Sequence, residues 1–147
     1  MAALARLLTG GSLAGVAGMK HVVLLGDSTL DNAAYVAAGQ DVTTKLRNVL
    51  PGDWRITLLA LDGAVIRDVA GQLRTLPADA SHLIVSVGGN DALGHAAIME
   101  ERAASVAGAL ARLADARDAF AMEYGTMLDG VLSRALPTAV STIYEAN

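Results

Sequence analysis

Cysteine is absent from this chain of 147 residues, which excludes a disulfide framework, a thiolate zinc site and a cysteine nucleophile. That absence suits a reducing compartment, and a cytoplasmic location is the expectation. Aromatic residues make up only 3%, so a core has to be assembled from Ala, Val, Leu and Ile. Charge is sparse too: 18% of residues are charged and the formal net charge is −4. Such a balance offers no basic footprint for nucleic acid or for an anionic membrane surface. Hydrophobic residues are plentiful, at 53%, too many for a disordered chain. The length suits one domain with a buried core.

A long apolar run is also lacking. Met1 to Gly18 holds one arginine, a short apolar stretch at Leu7-Leu8 and then Thr9-Gly10-Gly11-Ser12. The glycines interrupt a segment already far short of a membrane span, so no stable membrane insertion is expected. Residues 1–18 read as an extension ahead of a domain at 19–147. The alternative is an export signal, with Ala17 offering a small residue for cleavage.

Four short apolar runs alternate with helical patterns, the signature of βαβ units and a parallel sheet. The predicted strands are His21–Leu25, Trp54–Ala60, His82–Val87 and Thr138–Tyr144. The first is apolar at successive positions, as in a strand covered on both faces. Val42, Leu46, Val49 and Leu50 form one helical stripe, closed by Pro51-Gly52. Val65, Val69, Leu73 and Leu76 form a second, closed by Pro77. The connection from Ile98 to Leu136 is rich in Ala, Leu and Arg and predicts two helices broken near Gly125, or one that runs on with a bend. Neither a repeat nor an internal linker is present.

The chemistry lies where the strands end. Val22-Val23-Leu24-Leu25 runs into Gly26-Asp27-Ser28, the second strand into Leu61-Asp62-Gly63-Ala64, and the third into Gly88-Gly89-Asn90-Asp91. In a parallel sheet these three loops fall on one edge, where open α/β domains carry their sites. A serine hydroxyl attacking an ester carbonyl builds negative charge on the oxygen, which fixed N–H donors stabilise. Gly63 can bring its amide close because no side chain blocks the approach. Asn90 offers its side-chain amide, and Ser28 its own backbone N–H. Each fragment alone is a weak signal; the three in this order, each after a strand, are specific.

On these residues the chain resembles the SGNH hydrolases, the GDSL esterase/lipase family. Gly26-Asp27-Ser28 matches the nucleophile block, Gly63 the oxyanion glycine, and Gly88-Gly89-Asn90-Asp91 the asparagine block, over roughly Lys20 to Asn147. The resemblance implies a three-layer α/β/α flavodoxin-like fold with a mostly parallel sheet. It also implies hydrolysis of esters, thioesters or acetylated sugars as small-molecule substrates, with no cofactor. The departure is the fourth block, Asp-x-x-His, which supplies the general base and lies after a fifth strand; none follows the fourth strand here, and the one match to that spacing, Asp79-Ala80-Ser81-His82, leads into the third strand. The expectation is therefore a domain incomplete at its C-terminus and impaired as an enzyme. Its fourth strand would be left as an open edge that invites self-association. His21 and His82 begin strands, at the edge opposite Ser28. His95 is the one histidine on the correct side, but it follows the oxyanion loop rather than the missing block.

Other readings stand beside these. Ser28, Gly63 and Asn90 have plain alternatives as a helix cap, a turn glycine and a turn residue. Asp27 reads as structural, and Asp31, Asp62 and Asp91 as caps or solvated loop acids. Met99, Met122 and Met127 read as core filler, and Glu100-Glu101-Arg102 with Arg112, Asp115, Arg117 and Asp118 as a solvated helix face. Two further functional classes compete with the esterase. One is a metal-dependent phosphoryl-transfer domain, with Asp27, Asp31, Asp62 and Asp91 crowding hard oxygen ligands at one edge, although no lysine sits near those loops. The other is a non-catalytic remnant that pairs with another chain.

Overall fold

The computed structural model describes residues 19–142. The expected extension at 1–18 and the last two residues of the predicted fourth strand lie outside them. The strands are β1 (Lys20–Gly26), β2 (Trp54–Leu58), β3 (His82–Ser86) and β4 (Thr138–Val140). All pairings are parallel and the order is β2-β1-β3-β4, the first four positions of the doubly wound order 2-1-3-4-5. β2 and β4 flank the sheet. β2 is only half-buried along most of its length, and it ends at Leu58 rather than Ala60 because the chain turns away there.

Helices cover both faces. Val42–Val49 forms α1, Val69–Arg74 forms α2, Gly89–Gly94 forms α3 and Val106–Leu132 forms α4. Val22, Leu24 and Ile84 pack against Leu46 of α1 and the adjoining Leu50. Val23, Leu25, Leu83 and Val85 pack against Val69 and Leu73 of α2 and Met127 and Val131 of α4. Alternation along β1 sends successive side chains to opposite layers, which is why four consecutive residues, Val22 to Leu25, are all fully buried. The result is the three-layer α/β/α arrangement.

Several details depart from the sequence reading. Val49 is 51% exposed, so α1 buries only Leu46 and Leu50 of that stripe, with Asp41 capping its N-terminus by accepting from the Thr44 amide at 2.8 Å. The second stripe is part helix only: Ile66–Asp68 is a 3₁₀ turn leading into α2. Met127 is core, whereas Met99 and Met122 are 74% and 71% exposed. The long connection holds a 3₁₀ turn at Ala96–Glu100 and then one unbroken helix of 27 residues, not two. Ser105 caps it by accepting from the Gly108 amide, and the Ala- and Leu-rich sequence carries the helix through Gly125, whose penalty is only about 1 kcal/mol. In α4 the only buried residues are Met127 and Val131. At 1.5 Å per residue the helix is about 40 Å long, against about 10–23 Å for the strands, so its N-terminal half overhangs the carboxyl edge of the sheet.

A methyl group at Gly125 would meet no other atom within 4 Å. Gly125→Ala is therefore expected to raise stability by about 0.5–1 kcal/mol in urea denaturation. A loss of stability instead would mean that the helix bends or breaks there.

Candidate active site

The exit from β1 is tightly determined. Gly26 has φ +129°, and a Cβ at this position would sit 1.8 Å from the Ser86 carbonyl oxygen of the neighbouring strand. The next amide, Asp27 N–H, donates to that same oxygen at 3.0 Å. The Asp27 carboxylate is 4% exposed and accepts from Thr29 N–H at 2.9 Å, while the Asp27 carbonyl accepts from the amides of both Leu30 and Asp31 at 3.1 Å. Asp27 thus folds the backbone around its own position, and Ser28 rides half-buried on the tight turn that results. No α-helix begins at Ser28, so it is not a helix cap; the next regular element is the 3₁₀ turn Ala33–Tyr35.

Hydrogen bonds tie the three strand-end loops to one another. Asp62 N–H of the second loop donates to the Asp31 carboxylate of the first at 3.0 Å. Tyr35 OH donates to Asp62 at 2.5 Å, a bond that raises the tyrosine pKa above its ordinary value. Asn90 of the third loop donates from Nδ2 to Ala64 carbonyl at 2.9 Å, and both Asp91 oxygens accept from Ile66 N–H at 3.2 and 3.0 Å. Leu61 N–H closes the set by donating to Gly26 carbonyl at 3.0 Å. Asp31 and Asp91 are thus neither solvated loop acids nor helix caps, but cross-links between loops. The loops bearing Ser28, Gly63 and Asn90 meet at one edge. Gly63, at φ +77°, is exposed and lines an open cleft of about 650 Å³ with Leu58, Leu61 and Ala64.

Donors remain at this edge. Among the described residues, the backbone N–H groups of Ser28 and Gly63 have no acceptor. Asn90 spends one amide hydrogen on Ala64 and keeps the other, since a carboxamide carries two. Loop donors held in this way are the equipment that a developing oxyanion requires.

The histidines divide as their sequence positions require. His21 is buried at the start of β1, with Nε2 2.7 Å from Thr57 Oγ1 and Nδ1 between the Asp79 carboxylate at 3.1 Å and Arg55 at 2.9 Å. Arg55 also pairs directly with Asp79. Burial alone would raise the Asp79 pKa, but the His21 bond and the Arg55 charge hold it below the ordinary carboxylate value. His82 begins β3, packs on Trp54 and has its pKa lowered by burial and by Lys20. Both lie at the amino edge, a strand length from Ser28. His95 follows α3 on the carboxyl side, exposed. The crowding of aspartates expected for a metal site is not found: among the described residues no three His, Cys, Asp or Glu side chains are grouped to hold an ion. Asp27, Asp31 and Asp91 are turned to backbone amides instead.

One residue of this edge was missed in the sequence. Gln72, 6% exposed on α2, bonds to both backbone groups of Gly26. The available signal was a polar side chain three positions after buried Val69, on the apolar face of its helix.

Known structures share this architecture. The SGNH-hydrolase family esterase AlinE4 superposes with a TM-score of 0.57 at 18% identity, covering 88% of this chain and 60% of that one. An extracellular lipase from Streptomyces rimosus gives 0.53 at 26% identity, covering 82% and 58%. Phospholipase A1 from Streptomyces albidoflavus NA297 gives 0.54 at 26%, covering 83% and 58%. The chain thus spans about 60% of the length of the solved structures it matches. No protein-family model and no curated protein matches the sequence. Among the described residues, no helix is long and apolar enough to cross a membrane.

If Asp91 holds the second loop, Asp91→Ala should leave the Ile66 amide without a partner, costing about 1–3 kcal/mol. Faster hydrogen exchange at Ile66 than at Val69 in the variant is the expected signature. Unchanged exchange at Ile66 would mean that the loop is held by other contacts.

Proposed function

We propose that this chain carries the nucleophile and oxyanion donors of an SGNH-type serine esterase. The observation that supports it most is the stitching of three strand-end loops, through Asp31, Asn90 and Asp91, into one edge where donor N–H groups remain unspent. In the proposed reaction Ser28 Oγ attacks the ester carbonyl carbon. Charge moving onto the carbonyl oxygen is met by the N–H groups of Ser28 and Gly63 and by the free Nδ2 hydrogen of Asn90. Collapse of the adduct expels the alcohol, which leaves with the proton lost by the serine, and water then cleaves the acyl-serine. The nature of the edge suits a neutral ester, since no lysine or arginine belongs to these loops.

A base is what the chain does not supply. Its one Asp-x-x-His, Asp79 to His82, lies at the amino edge, a strand length from Ser28, and a hydroxyl without a base stays protonated at neutral pH. The proposed turnover of this chain by itself is residual, on the order of 10³–10⁴ over water, the level serine proteases keep when stripped of triad members.

A small activated phosphonate ester tests the reading, because it marks a nucleophilic serine by adding a stable mass. Labelling should map to Ser28 and vanish in Ser28→Ala. Asn90→Ala should slow it by about 10²–10³. Absence of labelling in the unaltered chain across pH, or labelling that survives Ser28→Ala, would favour a non-catalytic interaction module.

A further inference from the structure

β1 runs one step further than its neighbour. Leu24 is opposite Leu58, the last residue of β2, and the amides of both Leu59 and Ala60 converge on Leu24 carbonyl as the chain turns off the sheet. Gly26, two residues on, points its N–H and carbonyl to the same side as Leu24 and finds no strand there. Buried backbone groups in that position are costly unless paired. The carboxamide of Gln72 takes the vacant place: Oε1 accepts from Gly26 N–H at 2.7 Å, and Nε2 donates to Gly26 carbonyl at 2.8 Å. The reciprocal pair imitates one rung of a sheet. It also fixes the amide's orientation, because a flipped carboxamide would set its NH₂ against the Gly26 N–H.

The connection matters more than the satisfaction of two groups. Gln72 lies on α2, the helix entered directly from the Gly63 loop. Leu61, at the start of that loop, also donates to Gly26 carbonyl. One stretch of chain, from Leu61 to Gln72, therefore grips the residue two before Ser28 at two points and carries Gly63 between them. On the other side of Gly26 stands the Ser86 carbonyl, against which no Cβ fits. The peptide leading to Ser28 is confined from both sides.

We propose that Gln72 is a positioning residue of the esterase site, one that sets the register between Ser28 and the Gly63 oxyanion donor. This rests on the function proposed above. A misplacement of about 1 Å at a reacting centre can cost about a hundredfold in rate. Loss of the clamp should therefore slow Ser28 reactions in a protein that is still folded.

Glutamate is the informative substitution. Protonated, its carboxyl group has the same donor and acceptor as the carboxamide; ionised, it has acceptors only and faces the Gly26 carbonyl with a lone pair. In Gln72→Glu the rate of phosphonate labelling, divided by the wild-type rate at the same pH, should be at least tenfold down at neutral pH. It should climb toward unity as the pH falls through the carboxyl's titration. Gln72→Leu, with neither donor nor acceptor, should be slow at every pH. A glutamine that only stabilised the fold would lower the melting temperature and leave the labelling of the folded protein unchanged. A flat rate ratio near one in folded Gln72→Glu would overturn the proposal.

A readout free of chemistry keeps the two ideas separable. In amide NMR the Gly26 N–H should be protected from exchange in the wild type. In Gln72→Glu at neutral pH it should lose that protection, with the Ser28 resonance displaced, and both should recover at low pH. If the wild type shows no Ser28-dependent labelling, the esterase reading fails, and the NMR comparison decides the clamp by itself. Unchanged Gly26 exchange and an unmoved Ser28 signal in the variant would reject it.

Discussion

The constraint on which the rest of the site depends is the lack of room at Gly26. The residue sits in a backbone region that L side chains rarely adopt, with the Ser86 carbonyl where a Cβ would project. A strand that passes this point cannot continue its pleat, and the chain is diverted into the turn that carries Ser28. The turn is then held by Asp27, whose carboxylate and carbonyl collect the amides of Thr29, Leu30 and Asp31. Close packing at a single backbone contact thus becomes the direction in which a hydroxyl points. The neighbouring loops add precision because their acids bind amides across the gaps between strands, where each such bond excludes several loop conformations at once.

How much of this was legible in the sequence depends on the range of the interaction. The two-sided burial of β1 and the shared edge of Ser28, Gly63 and Asn90 follow from apolar runs and parallel connectivity, which are local patterns acting through general rules, whereas the fold type came with the family resemblance. The opposite placement of His21 and His82 follows from the same rules. What was illegible is pairwise: that Asp91 bonds Ile66, that Asp31 bonds Asp62, and that Gln72 completes Gly26. Nothing in the composition of a loop says which distant amide its carboxylate will meet. Helix boundaries failed for a different reason. Gly125 looks like a breaker in isolation, but a single glycine penalty is small beside the summed propensity of the alanines and leucines around it. Met99 and Met122 were assigned to the core by hydrophobicity alone, although both are largely exposed.

The two ends of the sheet spend polar groups differently. At the amino edge His21, Thr57, Asp79, Arg55 and Ser81 satisfy one another around a buried ring, with the carboxylate more acidic than usual. At the carboxyl edge the side chains mostly satisfy backbone, and among the described residues the donors left over are the amides of Ser28 and Gly63 and one Nδ2 hydrogen of Asn90. A closed polar cluster resists change, whereas an edge with unspent donors is poised to receive charge. The asymmetry agrees with the general tendency of parallel α/β domains to bind ligands beyond the carboxyl ends of their strands.

The length of α4 has a mechanical consequence. It is gripped by the core along its C-terminal half, where Phe120, Tyr124, Met127, Leu128 and Val131 pack, while its N-terminal half is steadied by the exposed Arg112–Glu101 pair at 2.6 Å. Val106 lies about 20 Å along the axis from Phe120, the first of these core contacts. A rod held along one half acts as a cantilever: a tilt of about 5° at the core displaces its tip by roughly 2 Å, given the α-helical rise. Sub-ångström adjustments where the helix meets the sheet are magnified above the carboxyl edge, on the face that α4 shares with α2. The face covered by α1 has no such arm among the described residues.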